Sequence, residues 1–266
     1  MNLSNHEKEE IDLTVVITCY NEEKYILDTI DNITDVLVKM ELSFEIIVID
    51  DVSKDESVKL IKEYIENHPF YPIRLIVNKR NRGLGNNYVE GAFLGKGKYY
   101  RLCCGDNPES KEVLDHIFRC IGKADMIMPC LIQKEVVGKT FFRKFVSRLF
   151  TFLVNLISGY KINYYNGMAI QLRYNVLRWH PSSYGFGFQA DIITRLLDEG
   201  VSYIQIYSKA IDRKGVASSA MTMRNFLSVT HTLLEIAIRR LRRFLYGKEM
   251  KKPFEIKIEN EIVNTR

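Results

Sequence analysis

Three acidic clusters punctuate the first 107 residues, each at the end of an apolar run. Thr18-Cys19-Tyr20-Asn21-Glu22-Glu23 follows the first run, Asp50-Asp51-Val52-Ser53-Lys54-Asp55 the second, and Gly105-Asp106-Asn107 a later one. An aspartate at such a place can accept hydrogen bonds from a base N–H or a ribose hydroxyl. A carboxylate with an amide beside it can hold Mg²⁺ or Mn²⁺ against a diphosphate. Tyr20 adds a flat ring suited to lining a base or sugar pocket. Between the second and third clusters lies Asn81-Arg82-Gly83-Leu84-Gly85-Asn86-Asn87, whose glycines permit close backbone approach. Structural duties compete with these readings. Asn21 can cap the helix that follows, Glu22 and Glu23 suit its positive end, and Ser53 or Asp55 can cap the next helix. Asp50 and Asp51 lie too early to be caps. Asp50 is expected to support the strand end and Asp51 to face the ligand.

The elements that must position these residues follow from hydrophobic periodicity. Strands are expected over 13–19, 44–49, 73–77, 99–103 and 126–128, the fourth of them central in the sheet. Helices are expected over 21–39, with Ile26, Ile30, Ile33 and Leu37 on one stripe, and over 55–67, with Val58, Ile61 and Ile65. Pro69 and Pro72 break the chain after the second helix. The Gly-rich segment 81–95 opens a third helix. Alternation of this kind implies a doubly wound, mostly parallel sheet with right-handed crossovers, and ligands of such sheets bind at the carboxyl ends of the strands. Beyond residue 133 the pattern becomes a basic, aromatic-rich helix over 139–156, a strand-like stretch over 164–172, a helix over 189–199 and a strand over 201–207. A long amphipathic helix over 222–246 precedes a charged, loose tail.

Bulk properties narrow the classes. The 266 residues can bury a full α/β core, and 46% hydrophobic with 27% charged residues is a globular composition. The net charge of +5 is concentrated: residues 221–252 hold eight Lys/Arg against two Glu. Residues 1–12 are polar and acidic, so no secretory signal is expected there. The five cysteines lack zinc-type spacing and read as reduced, buried thiols of a cytosolic protein. The longest strongly apolar stretch, 149–157, falls short of the roughly 20 residues that a bilayer span needs.

In their order, Tyr20-Asn21-Glu22, Asp50-Asp51-x-Ser53-x-Asp55, Asn81-x-Gly83-x-Gly85 and the acidic tip Asp106 resemble family 2 glycosyltransferases of the GT-A fold. The branch most resembled is that of dolichyl- and polyprenyl-phosphate sugar transferases, over about residues 12 to 245. The resemblance implies a GT-A domain over 12–220, a basic amphipathic helix over 221–247 and a charged tail over 248–266. It implies that Tyr20, Asn21, Glu22, Asp51, Asn81 and Gly83 line the nucleotide-sugar pocket. Asp106 would be the surviving metal ligand of the family's Asp-x-Asp, with Mg²⁺ or Mn²⁺ as cofactor. Arg213 and Lys214, with Arg143 and Ser147, would face phosphate, and Asp191 would be the base for a hydroxyl acceptor. The chain departs from the family at Thr18 (usually Pro), at Cys104 (the first Asp of Asp-x-Asp), in the shortened Arg-to-Gly spacing at Arg213-Lys214-Gly215, and at Ala220 (usually Lys).

The implied activity is inverting transfer of a sugar from a nucleoside-diphosphate sugar to a lipid-linked phosphate or a glycan. The expected location is the cytoplasm, at the cytoplasmic face of a membrane. Helices 139–156 and 224–246 interleave Lys/Arg with Phe and Leu. They suit either packing on the domain with a solvated basic face or docking on an anionic membrane; nucleic acid is not the expected partner. The alternative reading is a nucleotide-sugar-binding protein with reduced catalysis, favoured by Cys104 and the shortened loop. A Rossmann dehydrogenase is excluded, because Gly-x-Gly-x-x-Gly is absent after the first strand. A nucleotidyltransferase would carry a Gly-rich basic loop in the place that Tyr20-Asn21-Glu22 occupies.

Overall fold

A computed structural model describes residues 10–106, 109–131, 141–179, 185, 187–208, 223–247 and 251–258. Strands β1 (Leu13–Cys19), β2 (Phe44–Asp50), β3 (Ile73–Val77) and β4 (Tyr99–Cys104) alternate with helices α1 (Ile26–Val38), α2 (Ser57–Asn67) and α3 (Leu84–Leu94). Then come α4 (Lys111–Phe118), β5 (Met126–Leu131), α5 (Phe141–Ser158), β6 (Ile170–Leu172) and α6 (Arg173–Arg178). The chain continues through α7 (Phe188–Asp198), β7 (Ser202–Ser208), α8 (Met223–Leu245) and β8 (Phe254–Glu255).

All eight strands form one sheet in the order β3-β2-β1-β4-β6-β5-β7-β8. Every pairing is parallel except those of β6, which runs antiparallel between β4 and β5. The β-branched runs of β1 and β2 are buried on both faces, as central parallel strands require. Leu13, Val15 and Ile17 pack under α1, α2 and α4, whereas Val16 joins Ile47 and Ile49 under α3, α5, α7 and α8. β1 has β2 on one side and β4 on the other. The order therefore reverses between β1 and β4, and the crevice beyond their carboxyl ends is the binding place of such folds.

Three expectations are corrected. The stretch 164–172 contributes only the three residues of β6, and the chain before them makes side-chain bonds outside the ladder. The Tyr165 hydroxyl donates to Asn155 Oδ1 at 2.9 Å, and the Asn163 amide N–H to Gln205 Oε1 at 3.1 Å. The charged tail is not all loose: β8 pairs in parallel with β7, and Gln205 Nε2 donates to Glu255 Oε1 at 2.8 Å. Helix α1 starts at Ile26, not at residue 21, since Asn21 is occupied elsewhere.

Candidate active site

The loops after β1 and β2 are stitched together. Asn21 takes φ 57°, a left-handed conformation that asparagine tolerates. Its N–H donates to Ser53 Oγ at 2.9 Å, and its Oδ1 accepts from the Lys54 N–H at 2.8 Å. Glu22 N–H donates to Ser57 Oγ at 3.0 Å, Glu23 N–H to Asp55 Oδ2 at 3.0 Å, and Glu56 N–H back to Glu23 Oε2 at 3.1 Å. Asn21, Ser53 and Glu23 thus serve the neighbouring loop instead of capping their own helices. The Tyr20 ring is left half exposed at the tip of β1.

Asp50 and Asp51 have different partners, and Asp51 is engaged within the chain where a ligand-facing group was expected. Asp50 is fully buried, and its Oδ2 accepts from the N–H groups of Val52 and Ser53 at 3.0 and 3.1 Å. Those bonds hold Val52 at φ 71°, a conformation that costs a β-branched residue about 1–3 kcal/mol. Asp51 is buried too. Its Oδ1 accepts from Asn78 Nδ2 and the Arg82 N–H at 2.9 and 2.8 Å, and its Oδ2 from the Gly83 N–H at 2.8 Å. Asn81 Nδ2 reaches the Asp51 carbonyl at 3.3 Å. The carboxylate sits at the positive end of α3 and pins the Gly-rich loop to the tip of β2. Gly83, at φ 77°, makes that turn without strain. Asp51→Ala should therefore cost about 2–3 kcal/mol from two orphaned N–H groups and weaken nucleotide binding as the loop lifts. Urea unfolding and a nucleotide titration on the same variant check both effects.

Asp106 follows the tip of β4, where the backbone is clamped. Gly105 N–H donates to the Thr18 carbonyl at 2.8 Å, and the Gly105 carbonyl accepts from Thr29 Oγ1 at 2.8 Å. A Cβ on Gly105 would meet the Thr18 oxygen at 2.7 Å and the Glu22 side chain at 3.5 Å, so Glu22 lies beside the residue that precedes Asp106. Burial pushes the Cys104 thiol well above its ordinary range, with the charges of Asp106 and Glu22 adding to the effect. Among the described residues no three His, Cys, Asp or Glu side chains converge as a metal cage. Mg²⁺ is commonly held by one or two carboxylates plus substrate phosphates, and that mode fits Asp106 with Glu22. Cys104 does not suit it, since hard cations prefer oxygen.

One device at the site escaped the sequence reading. Arg101, on β4 and fully buried, donates from its single Nη2 to both carboxylate oxygens of Glu109 at 2.6 and 2.7 Å. Its Nε donates to the Met168 carbonyl at 3.3 Å, and its guanidinium lies over the Phe118 ring. The pair anchors the chain three residues beyond Asp106. An arginine in an otherwise apolar strand was the available signal.

The structure thus brings Tyr20, Asn21, Glu22, Asp51, Asn81, Gly83 and Asp106 to one end of the sheet. Asp191 is elsewhere engaged: both its oxygens accept from Arg195 Nε at 3.1 Å, and Oδ1 also from Arg239 at 2.5 Å, between α7 and α8. It is buried there. Ser147 lies half-buried on α5, and Arg143 is a residue of the same helix whose side chain lies outside the described residues. Arg213 and Lys214 also lie outside them.

A sheet reversing at β1/β4, with a tyrosine and acidic groups at those tips, defines the GT-A class of nucleotide-sugar transferase folds. The description "Glycosyl transferase family 2" matches residues 14–178, well over half of the chain. The chain belongs to that family. A dolichyl-phosphate beta-glucosyltransferase of Dictyostelium discoideum is 33% identical over 147 residues, covering 50% of this chain and 45% of its own length. The mouse protein of the same name is 26% identical over 157 residues, covering 53% and 48%. The chain spans about half the length of the curated relatives it matches. Among solved structures, glucosyl-3-phosphoglycerate synthase of Mycobacterium tuberculosis with Mn²⁺, uridine diphosphate and phosphoglyceric acid superposes with a TM-score of 0.65 at 16% identity. The match covers 85% of this chain and 78% of that one.

Proposed function

We propose that the chain transfers a sugar, with inversion, from a nucleoside-diphosphate sugar to a lipid-linked phosphate acceptor. The observation that carries this reading is the gathering of Tyr20, the Asp51-pinned loop and Asp106 at the carboxyl end of the sheet, where the strand order reverses between β1 and β4. Tyr20 and the loop residues Asn81 and Gly83 hold the nucleoside, and Asp51 keeps that loop in place. Asp106, with Glu22 beside the residue that precedes it, lies where the diphosphate leaves and would hold Mg²⁺ or Mn²⁺. A divalent ion there supplies charge neutralisation for the departing diphosphate.

The named activity of the curated relatives supports a dolichyl or polyprenyl phosphate as acceptor. Such a phosphate is already ionised near neutral pH. It can attack the anomeric carbon from the face opposite the leaving group without a general base, so the chain's part is placement. Arg143, Ser147, Arg213 and Lys214 are assigned by family pattern to the acceptor phosphate. Asp191 is assigned the tie between α7 and α8. Asp191→Asn should keep transfer to a lipid phosphate within about threefold while lowering stability by about 3–5 kcal/mol, as loss of a buried charge partner does. Loss of transfer to a hydroxyl acceptor with unchanged melting would restore it as the base. The reaction is set at the cytoplasmic face of a membrane; the free thiols of all five cysteines suit a reducing compartment.

The reading is tested by thermal shift with UDP-, GDP- and dTDP-sugars, with and without Mn²⁺, followed by mass detection of sugar-phosphate-lipid from the best donor. Ligand stabilisation follows affinity. No stabilisation by any donor would overturn the proposal. Binding without transfer to any acceptor would favour the second reading, a nucleotide-sugar-binding protein, which the thiol of Cys104 in place of a carboxylate supports.

A further inference from the structure

The basic face of α8 is turned inward. Arg239 bonds Asp191 at 2.5 Å and Asp198 at 3.2 Å, Arg240 reaches Asp198 at 2.9 Å, and Arg243 donates to the Asp198 carbonyl at 3.0 Å. Asp198 is buried, and the Tyr160 hydroxyl donates to its Oδ1 at 2.8 Å. These arginines therefore fasten α8 to α7 and cannot form a solvated or lipid-facing basic surface.

Ile236, Val229 and Leu233 of α8 pack on the core, but a second apolar stripe of the helix faces outward. Leu227, Leu234, Ile238, Leu241 and Leu245 form an exposed stripe at helical spacing, and Phe244 beside it is 83% exposed. Helix α5 packs against α8 and repeats the pattern. Phe145, Leu149, Phe152 and Leu156 recur at intervals of four, three and four residues, with Leu156 67% exposed. Two adjoining helices, each with an exposed apolar stripe, present apolar surface of the kind that marks an interaction surface.

The surrounding charge identifies the occupant. Arg148 and Arg242 are exposed at the edges of the stripes and Lys144 is half-buried beside them. Helix α5 contains no acidic residue, and α8 contains one, Glu235. A second copy of the chain, related by a two-fold axis, would set these cations against their own kind. Anionic lipid headgroups complement them, and Phe/Leu faces rimmed by Lys and Arg suit the headgroup–acyl boundary.

We infer that α5 and α8 together form a bilayer-docking face. The apolar stripes enter the acyl boundary, and Lys144, Arg148 and Arg242 sit among anionic headgroups. The inference rests on the lipid-acceptor reading for its purpose, since it brings the site to where such an acceptor resides. Attachment by apolar insertion also differs from the electrostatic docking that the arginine-rich sequence suggests.

Flotation of the full chain on phosphatidylcholine–phosphatidylglycerol vesicles tests it, with no polyprenyl phosphate present. The protein is expected to float with these vesicles, less with pure phosphatidylcholine, and to remain partly bound in high salt. Phe152→Ser with Leu156→Ser, and separately Leu241→Ser with Phe244→Ser, should each weaken binding about tenfold or more. Their melting and nucleotide-sugar thermal shift should stay unchanged, because these residues are exposed. No flotation, or flotation indifferent to both pairs, overturns the inference. So does a sedimenting dimer that the same pairs dissolve in the absence of flotation, which would assign the face to a second copy. Nucleotide-sugar binding is measured on the same samples. Its loss with flotation intact defeats the transferase reading alone, and the converse defeats the docking face alone.

Discussion

Asp106→Ala is expected to lower glycosyl transfer by at least about a hundredfold, the usual loss when a transition-state electrostatic group is removed, while the protein melts as before. The two halves of this result have separate causes. Transfer should fall because Asp106 follows the tip of β4 at the sheet's reversal point, where a leaving diphosphate must be neutralised. Folding should survive because the backbone there is held by groups other than the Asp106 side chain. Gly105 bonds Thr18 through its N–H and Thr29 through its carbonyl. Single-turnover measurement at saturating donor separates a lost chemical step from weakened binding. Near-normal turnover would remove Asp106 from the site and leave Glu22 as the carboxylate to examine.

The second large effect concerns stability. Glu109→Gln should destabilise the protein by about 3–5 kcal/mol, since it leaves the wholly buried Arg101 guanidinium without its counter-charge. For a domain of this size, such a loss lowers the melting temperature by about 6–20 °C. Arg101→Met should be milder, because Glu109 is partly exposed and can be hydrated, whereas Met fills much of the volume left under Phe118. Calorimetry of the two variants side by side checks the asymmetry. Equal and small shifts would show that the pair adds little. The Glu109 variant should also slow transfer beyond its stability loss, since the anchor lies three residues from Asp106.

Much of this architecture was legible in the sequence for a simple reason. Leu13–Cys19 and Ile73–Val77 match the expected strands residue for residue, and β2 and β4 run one residue further than expected. A buried parallel strand needs unbroken Val/Ile runs, and polar residues mark where it must stop. The clustering of Tyr20, Asp51 and Asp106 followed from the rule that parallel strands share one carboxyl end. What the sequence concealed were the pairings between distant segments. Periodicity gave α8 two faces but not which one is inside. Buried arginines need acidic partners, and Asp191 and Asp198 lie more than forty residues away along the chain. For the same reason Asp51 read as a group facing a ligand, although three internal donors occupy its oxygens. Strands β6 and β8 are too short to carry a pattern, and their neighbours in the sheet define them.

The stitching of the β1 and β2 loops has a thermodynamic consequence. Asn21, Glu22 and Glu23 are tied to Ser53, Lys54, Asp55, Glu56 and Ser57 by bonds that need no ligand. The chain meets the ordering cost of this pocket wall when it folds, so a nucleoside arriving there gives up little backbone entropy on the protein's side. Its affinity then rests on the contacts it makes with an already rigid edge, and discrimination among bases becomes a question of shape and donor pattern fixed in advance.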